Sequence, residues 1–343
     1  MIEYVTRENM ADYERFVQSH PAGTFLQSSL WRQQKPTWRW RAMIRRDERG
    51  VVTGALALLI RRVPALPFTL VYGCRGPVCA SDDRDTLREL LEAAREVGRR
   101  ERAYVVRLDP PVPENRAYRE LLSELGYAPQ KHGKRYVPLQ PTRLWRLELA
   151  GKPEDVPHGF DEETRQSIRI ALQRGVEVLQ GGRELTADFA ALVQQTSVRE
   201  TRVVRPADYY AGLMENFGSA ARIFLAYYDG RPAAGALVIT YGGRAVETFE
   251  ADDGDITLRA RYLLRTMILR QALEDGCGAC EFPGLPEDPE SPEMAFALGF
   301  GGEVVSYVGE LDLILHRFVN FLAETAGALW LALRKRLYFW KNR

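Results

Sequence analysis

The chain has 343 residues, 45% hydrophobic and 27% charged, which is enough for a sizeable core and longer than one domain usually is, so two domains are expected. Its 47 basic and 46 acidic residues nearly cancel, which argues against a protein that coats nucleic acid through a broad electrostatic footprint; any RNA contact should be local. The N-terminus MIEYVTRENMADYERF lacks the basic and apolar regions of a secretory signal, and no apolar run reaches the roughly 18 to 20 residues of a membrane span, so a cytoplasmic chain is expected.

In chain order, the first distinctive stretch is FLQSSLWRQQKPTW. It sets Lys35, the only lysine before Lys131, between Trp31 and Trp38 in a chain that otherwise uses arginine. GVVTGALALLIRRVP reads as strands of a hairpin after a charged turn. LRELLEAAREVGRRER is a helix and AYVVRLDPP a strand, followed by a proline-rich loop, a short helix and the phrase LLSELGYAPQ. A boundary falls near QPTRLWRLELAGKPEDVP.

FDEETRQSIRIALQRG carries helix signals: Asp161 as cap, Glu162 and Glu163 in the first turn, Gly175 as stop. Arg165 and Arg169 share one face, which suits RNA phosphates and equally a plain solvated stripe. Then GRPAAGALVITYGGR, the helix ARYLLRTMILRQALEDG, the strand CGACEFPGL and the phrase MAFALGFGGE repeat the first half at an offset of about 170 to 180 residues, the mark of a duplicated domain rather than a solenoid. Mixed strands and helices on both sides of the repeat predict an α/β or α+β fold.

The pairs Cys74/Cys79 and Cys277/Cys280 raise zinc or thiol redox chemistry, but no other Cys or His pair has ligand spacing; reduced core thiols and no metal are expected. His20, His132, His158 and His316 are scattered, with no hydrolase triad signature.

The repeated unit resembles the Gcn5-related acetyltransferase fold. That fold holds acyl-CoA on closely spaced glycines at a helix N-terminus, whereas this chain has DDGDITLRARYLL and CASDDRDTLREL there; no acyl-CoA cofactor, and no other, is expected. Taken together, FLQSSLWRQQKPTW, RGPV, VVRLDPP, RQSIRIALQRGV, TSVRETRVVRPADYY and GFGGEVVSYVGELDLIL, in this order, resemble the Fem (FemABX) aminoacyltransferases of peptidoglycan bridge synthesis. The long helical arm of some members is absent from the pattern.

The resemblance implies two tandem acetyltransferase-like domains: residues 1–145 with 312–343 on the precursor side, and 146–311 on the aminoacyl-donor side. It implies transfer of an amino acid from aminoacyl-tRNA to a stem-peptide amine of a nucleotide- or lipid-linked peptidoglycan precursor. A tRNA-independent acyltransferase, or a non-catalytic precursor-binding partner of an active relative, would fit the same scaffold.

By matched motif, the resemblance implies that Lys35 and Arg205 bind the precursor phosphates, with Tyr209 beside them. A lysine point charge and a guanidinium fork suit phosphate oxygens, and Trp31 and Trp38 can wall off a sugar or base face; the same tryptophans also suit a helix core beside a solvated lysine.

Aminolysis of an ester needs a neutral amine, which costs roughly 4 to 5 kcal/mol at pH 7 for a lysine-like group unless a base helps. Asp109, Glu310 and Tyr104 match positions of functional interest, Asp109 having a second reading as a strand-end turn residue and Glu310 as half of an ion pair. On the donor side the resemblance points to Phe296, with Arg165 and Arg169. Two departures stand out: the family's Phe-Lys pair is Phe296-Ala297 here, and an expected aromatic pair is Glu247 and Phe249. The tail HRFVNFLAETAGALWLALRKRLYFWKNR, with Phe318, Phe321, Leu322, Leu329 and Leu333 at helical spacing, either docks on the first domain or makes a peripheral contact with the inner face of the plasma membrane through Arg334, Lys335, Arg336 and Trp340.

Overall fold

A computed structural model describes residues 1–64, 66–130, 138–200, 203–327 and 338. Seven strands lie in the first part of the chain: β1 (Ile2–Tyr4), β2 (Arg39–Arg46), β3 (Val52–Arg62), β4 (Thr69–Gly73), β5 (Val78–Cys79), β6 (Ala103–Leu108) and β7 (Ala128–Pro129). Seven follow as β8 (Arg143–Glu148), β9 (Glu177–Gly181), β10 (Ala221–Tyr228), β11 (Arg231–Tyr241), β12 (Arg244–Asp252), β13 (Ala279–Pro283) and β14 (Glu303–Ser306), and β15 (Leu311–Ile314) comes last. The first sheet runs β1-β2-β3-β4-β6-β15-β7 with β5 on β3, the second β14-β8-β13-β12-β11-β10-β9.

Both sheets are built the same way. An antiparallel meander ends on a parallel pair, β4–β6 or β12–β13, which needs a helical crossover. The helices Arg84–Arg100 and Ala260–Glu274 supply it. In each sheet an antiparallel strand from elsewhere in the chain then separates the crossover strand from the strand after the short helix: β15 between β6 and β7, β8 between β13 and β14. The chain passes from one unit to the other at Thr142/Arg143 and returns at Val305/Ser306. The first of these points precedes 145/146 because β8 pairs along its length with β13, within the second unit.

Local chemistry explains the elements. In the β2–β3 turn, Asp47 accepts N–H bonds from Arg49 and Val51, and Gly50 takes φ +80. The β10–β11 turn uses Asp229 and Gly230, both at positive φ, the pairing that matches strand twist. Asp83 caps Arg84–Arg100 by accepting from Thr86 N–H, worth about 1 kcal/mol. Leu87, Leu90, Leu91, Ala94 and Val97 then form one buried stripe against Leu56, Leu58 and Val106, each large side chain contributing about 1.5 to 3 kcal/mol on burial.

The four cysteines are free and buried. A helix begins at Arg317 and leaves Phe318 (74%) and Phe321 (66%) exposed, while Glu324 pairs with Arg107 at 2.9 Å. Leu329, Leu333, Arg334, Lys335, Arg336, Trp340 and His132 lie outside the described residues. Tyr338, which the sequence assigns to the first domain, donates to Gln194 in the second unit.

Candidate active site

In the first unit the register of β6 and β15 decides the geometry. Leu311 pairs Leu108 and Asp312 pairs Arg107, so continuing the register sets Glu310 opposite Asp109, at the ends of adjacent strands. Two acids about 200 residues apart in sequence thereby become neighbours.

Asp109 is 1% exposed. It accepts the Arg75 N–H at 2.5 Å and the Tyr72 hydroxyl at 2.8 Å, with Arg75 Nη1 at 3.8 Å. It is therefore both a strand-end residue accepting a backbone N–H and a buried acid. Burial lifts its pKa to about 6 against the pull of Arg75. Arg75 itself has φ 51, donates to the Pro141 carbonyl and lies 5.0 Å over Tyr307.

Glu310 is 2% exposed and accepts the Leu139 N–H at 2.5 Å. Arg107 commits a two-pronged bond at 2.8 Å to Asp312 and another from Nη2 to Glu324, leaving only a 3.8 Å approach from Nη1 to Glu310. Glu310 Oε2 has no hydrogen-bond partner among the described residues. Burial pushes this acid up to about 7, opposed by Arg107 and assisted by the charges of Asp109 and Asp312. Acids with pKa values near 6 and 7 are matched to taking a proton at neutral pH. Tyr104, the residue skipped where Thr69 pairs Ala103 and Leu70 pairs Val105, is buried and raised to about 12 by that burial.

Gln27 anchors the lysine segment. Fully buried, it donates to the carbonyls of Cys74 and Ala57 and accepts the Ala57 N–H. Lys35 Nζ stands 4.6 Å from the Trp31 ring centre, and its charge is felt at Cys74, next to Arg75. Trp31 is a core residue packed edge-on to Phe25, whereas Trp38 is half-exposed beneath Arg61.

In the second unit Arg205 lies 5.1 Å over Tyr209, whose ring meets Tyr210 and Phe249 edge-on. Arg165 and Arg169 share a face, as their spacing predicts, and both turn back to Glu162 at 2.9 and 2.6 Å. Phe296 contacts Tyr262 and Phe300, with the guanidiniums of Arg261 and Arg265 each 4.5 Å over its ring. The arginines at 75, 107, 261 and 265 and Gln27 were not singled out by sequence; a polar residue within an apolar-periodic stretch, as in ARYLLRTMIL, is the signal that could have found them.

Among the described residues no group of His, Cys, Asp and Glu could hold a metal ion, and no helix is long and apolar enough to cross a membrane. Burial pushes the thiols of Cys74 and Cys280 well up, which removes them as nucleophiles.

The FemAB family model matches residues 9–231. Lipid II:glycine glycyltransferases of Staphylococcus haemolyticus (strain JCSC1435) and Staphylococcus aureus are 29% and 30% identical over 228 and 227 residues, 64% of this chain in each case. These alignments cover 54% and 53% of the relatives, so the chain spans about half the length of the curated relatives it matches. Among solved structures it superposes on FemX with a TM-score of 0.82 at 22% identity, over 94% of this chain and 99% of that one. A tandem GNAT protein from the clavulanic acid biosynthesis pathway gives a TM-score of 0.55 at 15% identity, over 91% and 98%. The fold is thus a tandem pair of acetyltransferase-like units.

Proposed function

Because the chain belongs to the FemAB family, we propose that it transfers an aminoacyl group from charged tRNA to a stem-peptide amine of a peptidoglycan precursor, building the interpeptide bridge. The observation that carries this reading is the Asp109–Glu310 acid pair. Its members are buried at adjoining strand ends, with pKa values lifted to about 6 and 7, and Glu310 keeps an oxygen without a hydrogen-bond donor among the described residues. A carboxylate of this kind can take the proton that the attacking ammonium must lose.

Lys35 and Arg205 serve as phosphate contacts of the precursor, with Trp38, Tyr104 and Tyr209 beside them, and Phe296 belongs to the donor side. The names of the relatives support a lipid-linked acceptor. A peripheral contact at the inner face of the plasma membrane would follow, made by the exposed Phe318, Phe321 and Leu322.

Purified chain incubated with lipid-linked or nucleotide-linked precursor and a panel of charged tRNAs tests the reading by mass spectrometry. The expected product is heavier by one amino-acid residue. Precursor that binds but gains no mass with any charged tRNA would overturn the proposal.

A further inference from the structure

The second unit contains a buried arginine with a donor left over. Strand β12 is bulged: Leu237 pairs Phe249 while Val238 pairs Glu247, so Thr248 is an extra residue. The bulge lets Glu247 and Glu250 approach the same guanidinium, that of Arg265 on the helix Ala260–Glu274. Their oxygens lie 3.4 and 3.5 Å from Arg265 Nη2. Arg261 Nε holds Glu250 from the other side at 2.6 Å.

Arg265 is 5% exposed, its guanidinium carbon 3.8 Å over Phe282, 4.5 Å over Phe296 and 5.6 Å over Phe300. Its Nε is buried and has no hydrogen-bond partner among the described residues. A buried N–H without an acceptor is costly. The cluster meets solvent through Phe296, Arg261 and Glu250, each half-exposed.

The neighbouring position offers no charge of its own. Ala297 is 1% exposed and packs in the core with Trp145, Phe160 and Phe300. The cations over Phe296 are Arg261 and Arg265; the Nε of Arg261 is taken by Glu250, and that of Arg265 is not.

Resting on the transfer reading above, we propose that Arg265 binds the carbonyl oxygen of the aminoacyl ester and stabilises the negative charge that develops on it. The amine nitrogen bonds to the ester carbon while the π pair moves onto the oxygen held by Arg265. When that pair returns, the bond to the ribose oxygen breaks. The proton lost by the amine reaches that oxygen by way of a carboxylate, leaving an amide and a free ribose hydroxyl. The acceptor that Arg265 lacks is thus supplied by the substrate at the step that most needs a donor.

The full chain labelled with 15N-arginine, with R265Q to assign the resonance, reports on Arg265 Nε–H directly. Titration with 3′-glycylamino-3′-deoxyadenosine, an amide mimic of a charged tRNA end, should move that resonance. Single-turnover transfer from glycyl-tRNA should fall about 10²- to 10³-fold in R265Q while precursor affinity holds. R265Q/E247Q, which also removes the buried Glu247 carboxyl that R265Q would leave without its cation, should show the same loss with a melting temperature nearer that of the unaltered chain. An Nε–H unmoved at saturating mimic, or transfer by folded R265Q/E247Q within about threefold of the unaltered rate, overturns the assignment. If the unaltered chain transfers nothing but its Nε–H responds, the transfer reading falls and the ligand contact of Arg265 stands. A silent Nε–H in a chain that does transfer removes this inference alone.

Discussion

Each unit carries a buried charge cluster, on β6 and β15 in the first and on β12 and the helix Ala260–Glu274 in the second, and the two are unbalanced in opposite senses. In the first, Arg107 is taken up by Asp312 and Glu324, and the oxygen left without a hydrogen bond among the described residues belongs to an acid, Glu310. In the second, Glu250 is held by Arg261, and the atom left over among the described residues is a donor, Arg265 Nε. The cross-strand pair is inverted as well: Arg107 on β6 faces Asp312 on β15, whereas Glu281 on β13 faces Arg146 on β8. The same fold thus holds an unpartnered acceptor in one copy and an unpartnered donor in the other, among the described residues.

The comparison breaks most visibly if the spare acceptor is removed. Glu310→Gln should lower single-turnover transfer by about 10²- to 10⁴-fold, the usual contribution of a positioned base. With Glu310 intact, transfer should rise with pH and level off above about 7, the value to which burial pushes this acid. Stability should move the other way. Asp109 and Glu310 both bind their protons more tightly folded than unfolded, so stability is greatest below the unfolded values near 4 and declines as pH rises towards 6 and 7. Chemical denaturation across that window should show a shallower decline in Glu310→Gln. An unchanged slope would mean that the acid is not buried in solution.

A second contrast separates the two inverted pairs. Arg107→Met leaves Asp312 and Glu310 buried without their cation and should cost about 3 to 5 kcal/mol. Arg146→Met affects a pair whose side chains are 23% and 11% exposed and should cost about 1 kcal/mol. Because two units unfold here, hydrogen exchange resolved by segment is the suitable measurement. Equal losses would show that the two clusters are energetically alike.

The phosphate contacts should matter less to stability than to binding. Lys35→Met and Arg205→Met should each weaken precursor binding by roughly 1.5 to 3 kcal/mol, read by calorimetric titration, without altering the melting temperature. Unchanged affinity in either variant removes that residue from the assignment.

Much of this was legible because it is local: the cap Asp161 and the stop Gly175 act through residues close in sequence, and the repeat is one local pattern written twice. Asp109 and Glu310 could be named from motifs, but their pairing depends on β15 entering the first sheet after the chain has built the second, a long-range event with no local signature. Trp31 shows the limit from the other side: its spacing from Lys35 suited a ligand wall, and only packing against Phe25 shows it to be core. Arg265 was hidden for a related reason. Its burial depends on the β12 bulge and on Phe282 and Phe296, which come from separate elements.

An exposed charge cluster gives the mildest test. Arg165 and Arg169 lie one turn apart, and both are bound to Glu162, whose acidity is strengthened chiefly by the hydrogen bond from Arg165. Arg165 also donates to the Phe160 carbonyl at the helix start. Unlike the buried clusters, this one has its principal donors already engaged, so a tRNA phosphate must compete with Glu162 rather than fill a vacancy. Two full phosphate contacts would change the logarithmic salt slope of tRNA binding by about 1.4 to 1.8. R165A/R169A should change it by less than about 1, because part of the released charge is already neutralised within the helix. A change near the full value would mean that both arginines leave Glu162 on binding, placing this helix face on the nucleic acid and ending its resemblance to a self-satisfied cap.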